Sequence, residues 1–249
     1  MLQSLRFCSA RCTGDRNSPN WRNTRTSERT VICKRTTIFT IIVVGFIYYE
    51  INVHNFSWYT NNSGGPCKIS KKDMMDLLSL SQDTSIVLNR LKINHFLVYG
   101  SLWGGLRNNG PLPWDTDFDF GIFYNEIIKY SEQEVKDKFK AFDINCYYSY
   151  RFGFYRVTRG SARGDLMIFR DYYNNGWMHR IGVEAYLAFV NYRKFHVFPA
   201  HLVKLPLDSS PFGRVNVSIP HGGVEIQRYF YPHDWWKISK PGGCINHFV

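Results

Sequence analysis

Stretches of helical period and stretches of strict alternation follow one another along this chain, in an order that predicts a mixed α/β domain. "DMMDLLSLSQDTSIVLNRLKIN", residues 73 to 94, carries apolar residues at 74, 77, 78, 80, 86, 88 and 91, close enough to helical spacing to predict one or two amphipathic helices. "HFLVYGS", His95 to Ser101, predicts a strand ending in a Gly-Ser turn. The four glycines from 100 to 110 and the prolines at 111 and 113 then predict a loop holding a short helix around Leu102 to Arg107. "WDTDFDFGIFY" alternates as a strand, and "NEIIKYSEQEVKDKFKAFD" predicts a helix with its Lys and Glu residues outermost. "INCYYSYRFGFYRVTRG" and "DLMIFRDYY" predict strands joined by a tight turn between Gly160 and Gly164. From residue 176 onward the chain is aromatic and His-rich with Gly and Pro breaks, and predicts no strong helix.

Earlier in the chain the pattern is of another kind. "TTIFTIIVVGFIYYEINV", Thr36 to Val53, is an unbroken apolar run. As a helix it would be about 27 Å long, near the thickness of a thin secretory-pathway bilayer. Residues 1 to 37 hold eight Lys or Arg against Asp15 and Glu28, so +6 of the net charge of +11 sits in the tail preceding this run. A basic tail before an apolar run predicts a type II signal anchor with the tail cytoplasmic, and it removes most of the charge-based argument for nucleic acid as partner. Tyr48, Tyr49, Trp58 and Tyr59 would form an interfacial belt. The expected organisation is a cytoplasmic tail over 1–35, an anchor over 36–53, a short lumenal stem over 54–66 containing "NNSGGPC", and one globular domain over 67–249.

Three sequons, at Asn55, Asn61 and Asn216, all follow the apolar run, in keeping with a lumenal domain in the Golgi or endoplasmic reticulum. Of six cysteines, Cys67, Cys146 and Cys244 lie beyond the run and allow one disulfide with one thiol left over. Cys and His spacing does not suit a structural zinc site.

Candidate chemistry concentrates in "NNGPLPWDTDFDFGIF". On an alternating strand, Asp115, Asp117 and Asp119 share one face while Thr116, Phe118 and Phe120 take the other. Carboxylates about 7 Å apart repel by about 2.4 kcal/mol at an effective dielectric of 20, so in a cleft they call for a cation. Mg²⁺, or Mn²⁺, suits a site of one or two carboxylates completed by phosphate oxygens and water. An EF-hand is excluded by Phe120 where glycine is needed and by Pro113 and Trp114 where a helix should enter. Gly100 and Ser101 stand upstream as a turn able to offer N–H groups to phosphate. Asp165, in "RGDLMIF", is the candidate third carboxylate, opening a neighbouring strand. Asp115 either binds metal or only starts its strand. His95, His179, His196 and His201 each stand alone among aromatics and read as core or surface residues, not as bases.

"YGSLWGGLRNNGPLPWDTDFDFGIF" resembles the core motif of the LicD family, which includes bacterial phosphorylcholine transferases, fukutin and fukutin-related protein. The likeness extends over about residues 85 to 240, more loosely through "YFYPHDWW". "RNNG" and Pro232-His233 depart from the family pattern. The resemblance implies a nucleotidyltransferase-like mixed sheet flanked by helices. It also implies transfer of a phospho-alditol (ribitol 5-phosphate-like) or phosphocholine-like group from a CDP-activated donor to a glycan hydroxyl on glycoprotein or glycolipid. Asp117 and Asp119 would then hold the metal, Asp165 would be a ligand or the base, and Gly100, Ser101 and Arg107 would face phosphate. Two other classes stay open: a catalytically silent scaffold of the same fold, alone or in an oligomer, and a soluble nucleotidyltransferase acting on nucleic acid.

Overall fold

A computed structural model describes residues 35–47, 66–172, 174–182, 196–232, 235–238, 240–241 and 244. The basic tail before residue 35, the aromatic belt, the stem up to residue 65, and the sequons at Asn55 and Asn61 lie outside them. The chain divides into two units, Met1–Val53 and His54–Val249. In the first, residues 35–47 form a helix (α1), exposed throughout. It covers only part of the 18-residue run expected to span a bilayer, and no helix among the described residues is long and apolar enough to cross a membrane.

The second unit is built on a mixed sheet of nine strands among the described residues. These are β1 (His95–Leu97), β2 (Phe118–Phe123), β3 (Asn145–Ser149), β4 (Phe154–Arg159), β5 (Ala162–Arg170), β6 (Trp177–Arg180), β7 (Val197–Pro199), β8 (Asp208–Phe212) and β9 (Val215–Ile219). Their order is β3-β4-β5-β2-β1-β9-β8, with β6 pairing β5 and β7 pairing β6. β2 runs parallel to β5 and β1 parallel to β9, while the other pairs are antiparallel. The helices of this unit are α2 (Lys71–Arg90), α3 (Tyr99–Asn108), α4 (Tyr124–Ile127), α5 (Glu132–Lys140) and α6 (Gln227–Phe230).

Alternation decides which face is core. Phe118, Phe120, Ile122, Leu166, Ile168, Tyr155 and Val157 are buried on the face covered by α2. That helix is fixed there by Ser85 on His95 and by Asp83 on Arg159. Seven aromatic or aliphatic side chains of this kind each contribute roughly 1.5–3 kcal/mol on burial, which makes the face the main anchor of the sheet. Gly164 lies inside β5 because the Phe118 ring fills its face; a Cβ there would come within 2.2 Å of that ring. The turn between β4 and β5 is therefore confined to Gly160 and Ser161, not extended to Gly164, and Asp165 stands fourth in its strand instead of opening it.

Three further expectations are corrected. "NEIIKYSEQEVKDKFKAFD" is not one helix: α4 stops, and Ser131 starts α5 with a capping box, accepting from the Glu134 N–H while Glu134 accepts from the Ser131 N–H. The helix expected around Leu102 to Arg107 is present but longer, and no separate Gly-Ser turn precedes it: α3 begins at Tyr99 and runs to Asn108. Gly104 is required there, since a Cβ would lie 2.4 Å from the Gly110 carbonyl oxygen. Nor does the Asp-rich strand begin at Trp114. Asp115 closes a turn with Leu112, its N–H donating to the Leu112 carbonyl at 3.0 Å and its side-chain Oδ2 accepting from the Leu112 N–H at 3.1 Å, and regular pairing starts only at Phe118.

Cys67 and Cys244 form the disulfide that the cysteine count allows, and Cys146 keeps a free, half-buried thiol whose ionisation burial pushes up to about 12. His95 is a core residue, as expected. Its Nδ1 donates to the Ile93 carbonyl at 3.2 Å, so Nε2 accepts from the Ser85 hydroxyl at 2.7 Å. Burial lowers its pKa from 6.5 to about 4. Below pH 6.5 the unfolded chain takes up a proton that the folded chain refuses, so stability falls as pH drops. The His95 share of that loss is about 3 kcal/mol by pH 4. Urea unfolding of wild type and His95→Gln at pH 7 and pH 4.5 checks it. Asp115, Asp117 and Asp119, described below, titrate with the opposite sign, so the share is read as the difference between the two proteins. Parallel curves would refute it.

Candidate active site

Opposite α2, the same three strands, joined by β3, carry a different set of side chains. Asp119 on β2 is in register with Asp165 on β5, Asp165 with Arg156 on β4, and Arg156 with Tyr147 on β3. Partners in register share a face about 4.8 Å apart, so these four residues form one line across the sheet. A second line runs beside it: Asn145, Thr158 and Arg163 are in register, and Arg163 reaches Asp117, just ahead of β2, at 3.2 Å. Toward the other end of this face the surface turns apolar, with Phe96, Phe123 and Phe169 packed under Phe198 and Phe230.

Asp165 is nearly fully buried, and both its oxygens are taken by Arg156, Oδ1 from Nε at 2.7 Å and Oδ2 from Nη2 at 2.8 Å. Such a bidentate fork fixes the guanidinium in the plane of the carboxylate. Asp117 is partly neutralised by Arg163, yet its pKa is raised, first by burial and then by Asp165. Asp119 is raised well above the ordinary carboxylate range: burial is the main cause, Asp117 and Asp165 add to it, and Arg180 opposes it. Among the described residues no side chain donates to the Asp119 carboxylate, so it is the member of the cluster whose charge is least compensated. Asp115 is pushed up to about 7, again mainly by burial, against the Leu112 N–H that favours its ionised form.

Helix α3 brings its first turn to this cluster. The Asp119 N–H donates to the Ser101 hydroxyl at 2.8 Å, and a Cβ on Gly100 would lie 3.6 Å from the Asp115 carboxylate. Tyr99, in the left-handed region at φ 50°, starts the helix and is tied by its hydroxyl to His196 Nδ1 and by its carbonyl to Gln227 Nε2 at 2.6 Å. Gly100, Ser101, Asp115, Asp117, Asp119 and Asp165 are thus drawn together. Arg107 is not: it sits in the last turn of α3, about two turns or ~10 Å along the axis from Ser101, with its guanidinium 3.7 Å above the Trp103 ring.

No group of three or more His, Cys, Asp or Glu among the described residues is arranged as a ready metal cage. Mg²⁺ needs less than that, since one or two carboxylates suffice when phosphate and water complete its shell. Asp117 and Asp119, the latter the least compensated of the cluster, are the carboxylates that could hold such an ion, whereas Asp165 is already committed to Arg156. Pattern reading missed Arg156, Arg163 and Arg180. The signal was present for Arg163, which stands two residues before Asp165 and so on the same face of a strand.

The LicD/FKTN/FKRP nucleotidyltransferase domain matches residues 92–222, just over half of the 249-residue chain. An uncharacterised protein of Rickettsia typhi is 30% identical over 103 residues, 40% of this chain and 33% of that protein. Another, of Rickettsia prowazekii, is 26% identical over 121 residues, 47% of this chain and 45% of that protein. The chain therefore spans less than half the length of these curated relatives. With Gly-Ser on α3, Asp-x-Asp at the entry to β2 and Asp on β5, all within the matched segment, the chain belongs to the LicD family, whose members in general transfer phosphate-containing groups.

Proposed function

We propose that this protein is a metal-dependent phosphotransferase of the secretory pathway. It moves a phospho-alditol, or a phosphocholine-like group, from a CDP-activated donor to a glycan hydroxyl, with Asp117 and Asp119 holding Mg²⁺ or Mn²⁺. The carrying observation is Asp119, a half-buried carboxylate beside Asp117 and Asp165 to which no described side chain donates. Such a group is costly alone and becomes favourable opposite a cation. The ion, when bound, screens charge on the donor diphosphate.

The remaining chemistry falls to the chain. Ser101 fixes the Asp119 backbone and with it the direction of the carboxylate. Arg163, half exposed, supplies a guanidinium for phosphate oxygens, and Arg156 is kept from moving by Asp165. In the transfer the acceptor oxygen bonds to the phosphorus carrying the alcohol, the hydroxyl proton passes to a carboxylate, and the P–O bond to CMP breaks with its electron pair leaving on CMP. The open end of the face, toward Asn145 and the 45% exposed Tyr147, is the side from which a glycan can approach. The apolar run over 36–53 serves in this reading as membrane anchor, with the domain in the Golgi or endoplasmic reticulum lumen.

One observation favours a silent scaffold instead: Asp165 and Asp117 already have arginine partners. Incubating the full chain with CDP-ribitol, CDP-glycerol and CDP-choline, each with Mg²⁺, Mn²⁺ or EDTA, separates the two. The enzyme reading expects CMP release that EDTA abolishes. Absence of release from every donor would leave the scaffold.

A further inference from the structure

The sequon at Asn216 plays no part in the chemistry above, and its surroundings suit a different use. Asn216-Val217-Ser218 lies on β9, whose side chains alternate: Val217 is buried at 1% exposure, Asn216 is exposed and Ser218 half-buried. Among the described residues, none makes a side-chain hydrogen bond to Asn216 or Ser218. Alternation puts both side chains on the face opposite Val217, so the acceptor amide and the hydroxyl that the sequon requires are presented together.

Position in the sheet adds to this. β9 forms a hairpin with β8, which is the terminal strand of the sheet, and Asn216 is directly opposite Pro211. Gly213, at φ 68°, makes the turn, and its N–H donates to the Asn109 carbonyl at 2.6 Å, so the hairpin is fixed to the C-terminal end of α3. An exposed edge strand is a template for unwanted pairing, and Pro211 already removes one donor from it. A bulky hydrophilic substituent on the neighbouring strand would cover the same edge.

The site is also remote from the carboxylates. Ser218 is in register with Phe96 on β1, which places Asn216 level with residue 94, while the Asp119 carbonyl accepts from Val98. Four residues along the strand are about 13 Å, and two strands across are about 10 Å, so the separation is roughly 16 Å. A substituent at Asn216 leaves the face between Asp119 and Tyr147 clear.

The compartment has an independent marker in the Cys67–Cys244 disulfide, a bond that persists in oxidising surroundings. We propose that Asn216 is an N-glycosylation site, taking an oligosaccharide from a lipid-linked diphosphate donor. The Nδ2 atom forms the bond to the sugar C1 and loses a proton, the C1–O bond to phosphate breaks, and the lipid diphosphate leaves. The proposal shares only the lumenal location with the functional reading above.

Its test uses the full chain, made in a mammalian secretory cell with Asn55→Gln and Asn61→Gln so that Asn216 is the remaining sequon. Peptide N-glycosidase should shorten the apparent mass by one glycan. Ser218→Ala, which keeps Asn216 and changes only the hydroxyl, should abolish that shift, as should Asn216→Gln. Maleimide-polyethylene glycol labelling with and without reductant reports the disulfide in the same samples. An oxidised Cys67–Cys244 pair with no glycosidase shift would overturn the site and leave the lumenal location standing. A reduced pair with no shift would overturn both, and a shift that survives Ser218→Ala would overturn the assignment to this sequon.

Discussion

Asp119→Asn is expected to lower metal-dependent CMP release on the order of 10²- to 10³-fold, the scale of losing one preorganised electrostatic group, while making the folded domain more stable. The two effects share a cause. Asp119 is pushed well above its ordinary value by burial and by Asp117 and Asp165. A carboxyl whose folded pKa is raised binds its proton more tightly in the folded state. Its contribution to stability is therefore greatest below the unfolded value near 4 and declines as pH rises through the folded value. At neutral pH the carboxyl therefore costs the fold stability, and asparagine removes the ionisable group at nearly constant shape, a gain on the order of 1 kcal/mol. Urea midpoints at pH 7 and CMP release measured on the same preparation check both halves. A variant that keeps wild-type activity would remove Asp119 from the site, and one that is less stable would refute the electrostatic account.

The second large effect concerns the disulfide. Cys67 and Cys244 are 177 residues apart in sequence, so the bond closes almost the whole domain into one loop. Chain-entropy arguments give about 5 kcal/mol of stabilisation for a loop of this length, which is comparable with the entire stability of many domains. Cys67→Ser with Cys244→Ser, or wild type in reductant, should unfold at a much lower urea concentration. Wild type should lose this advantage on reduction, and the double variant should be indifferent to it. Equal midpoints with and without reductant would show that the bond contributes nothing.

Much of this architecture could be read in advance, and the failures have local causes. The strand at "FDFGIF" and the buried strand after Asp165 follow from alternation and β-branched or aromatic content, which is why Asp119 and Asp165 could be paired before any coordinates existed. Asp115 was harder. Alternation extends back through it, but its side chain accepts the Leu112 N–H, a competing local bond that ends the strand pattern three residues early. The helix around Leu102 to Arg107 was legible, but its start at Tyr99 was hidden by glycines that carry a propensity cost. Gly104 is tolerated because the chain at Gly110 passes too close for any Cβ. Arg107 attracted interest by its place in a motif, yet three-dimensional position puts it over Trp103 at the far end of α3. Arg156 and Arg180 had no such motif, being two cations among many, and only strand register shows that one of them stands beside Asp165.

The Cys67–Cys244 bond also fixes where the chain enters and leaves the domain. With their Cα atoms 5.4 Å apart, the two cysteines make one doorway for both ends of the fold. Whatever precedes Cys67 and whatever follows Cys244 must depart from the same small patch of surface. A label or fusion partner attached beyond Cys244 therefore leaves the domain beside residue 66, and a tether drawn through residue 66 pulls on both cysteines at once. The sheet between them is spared, because force applied at the doorway runs through the sulfur bridge and not across the strands.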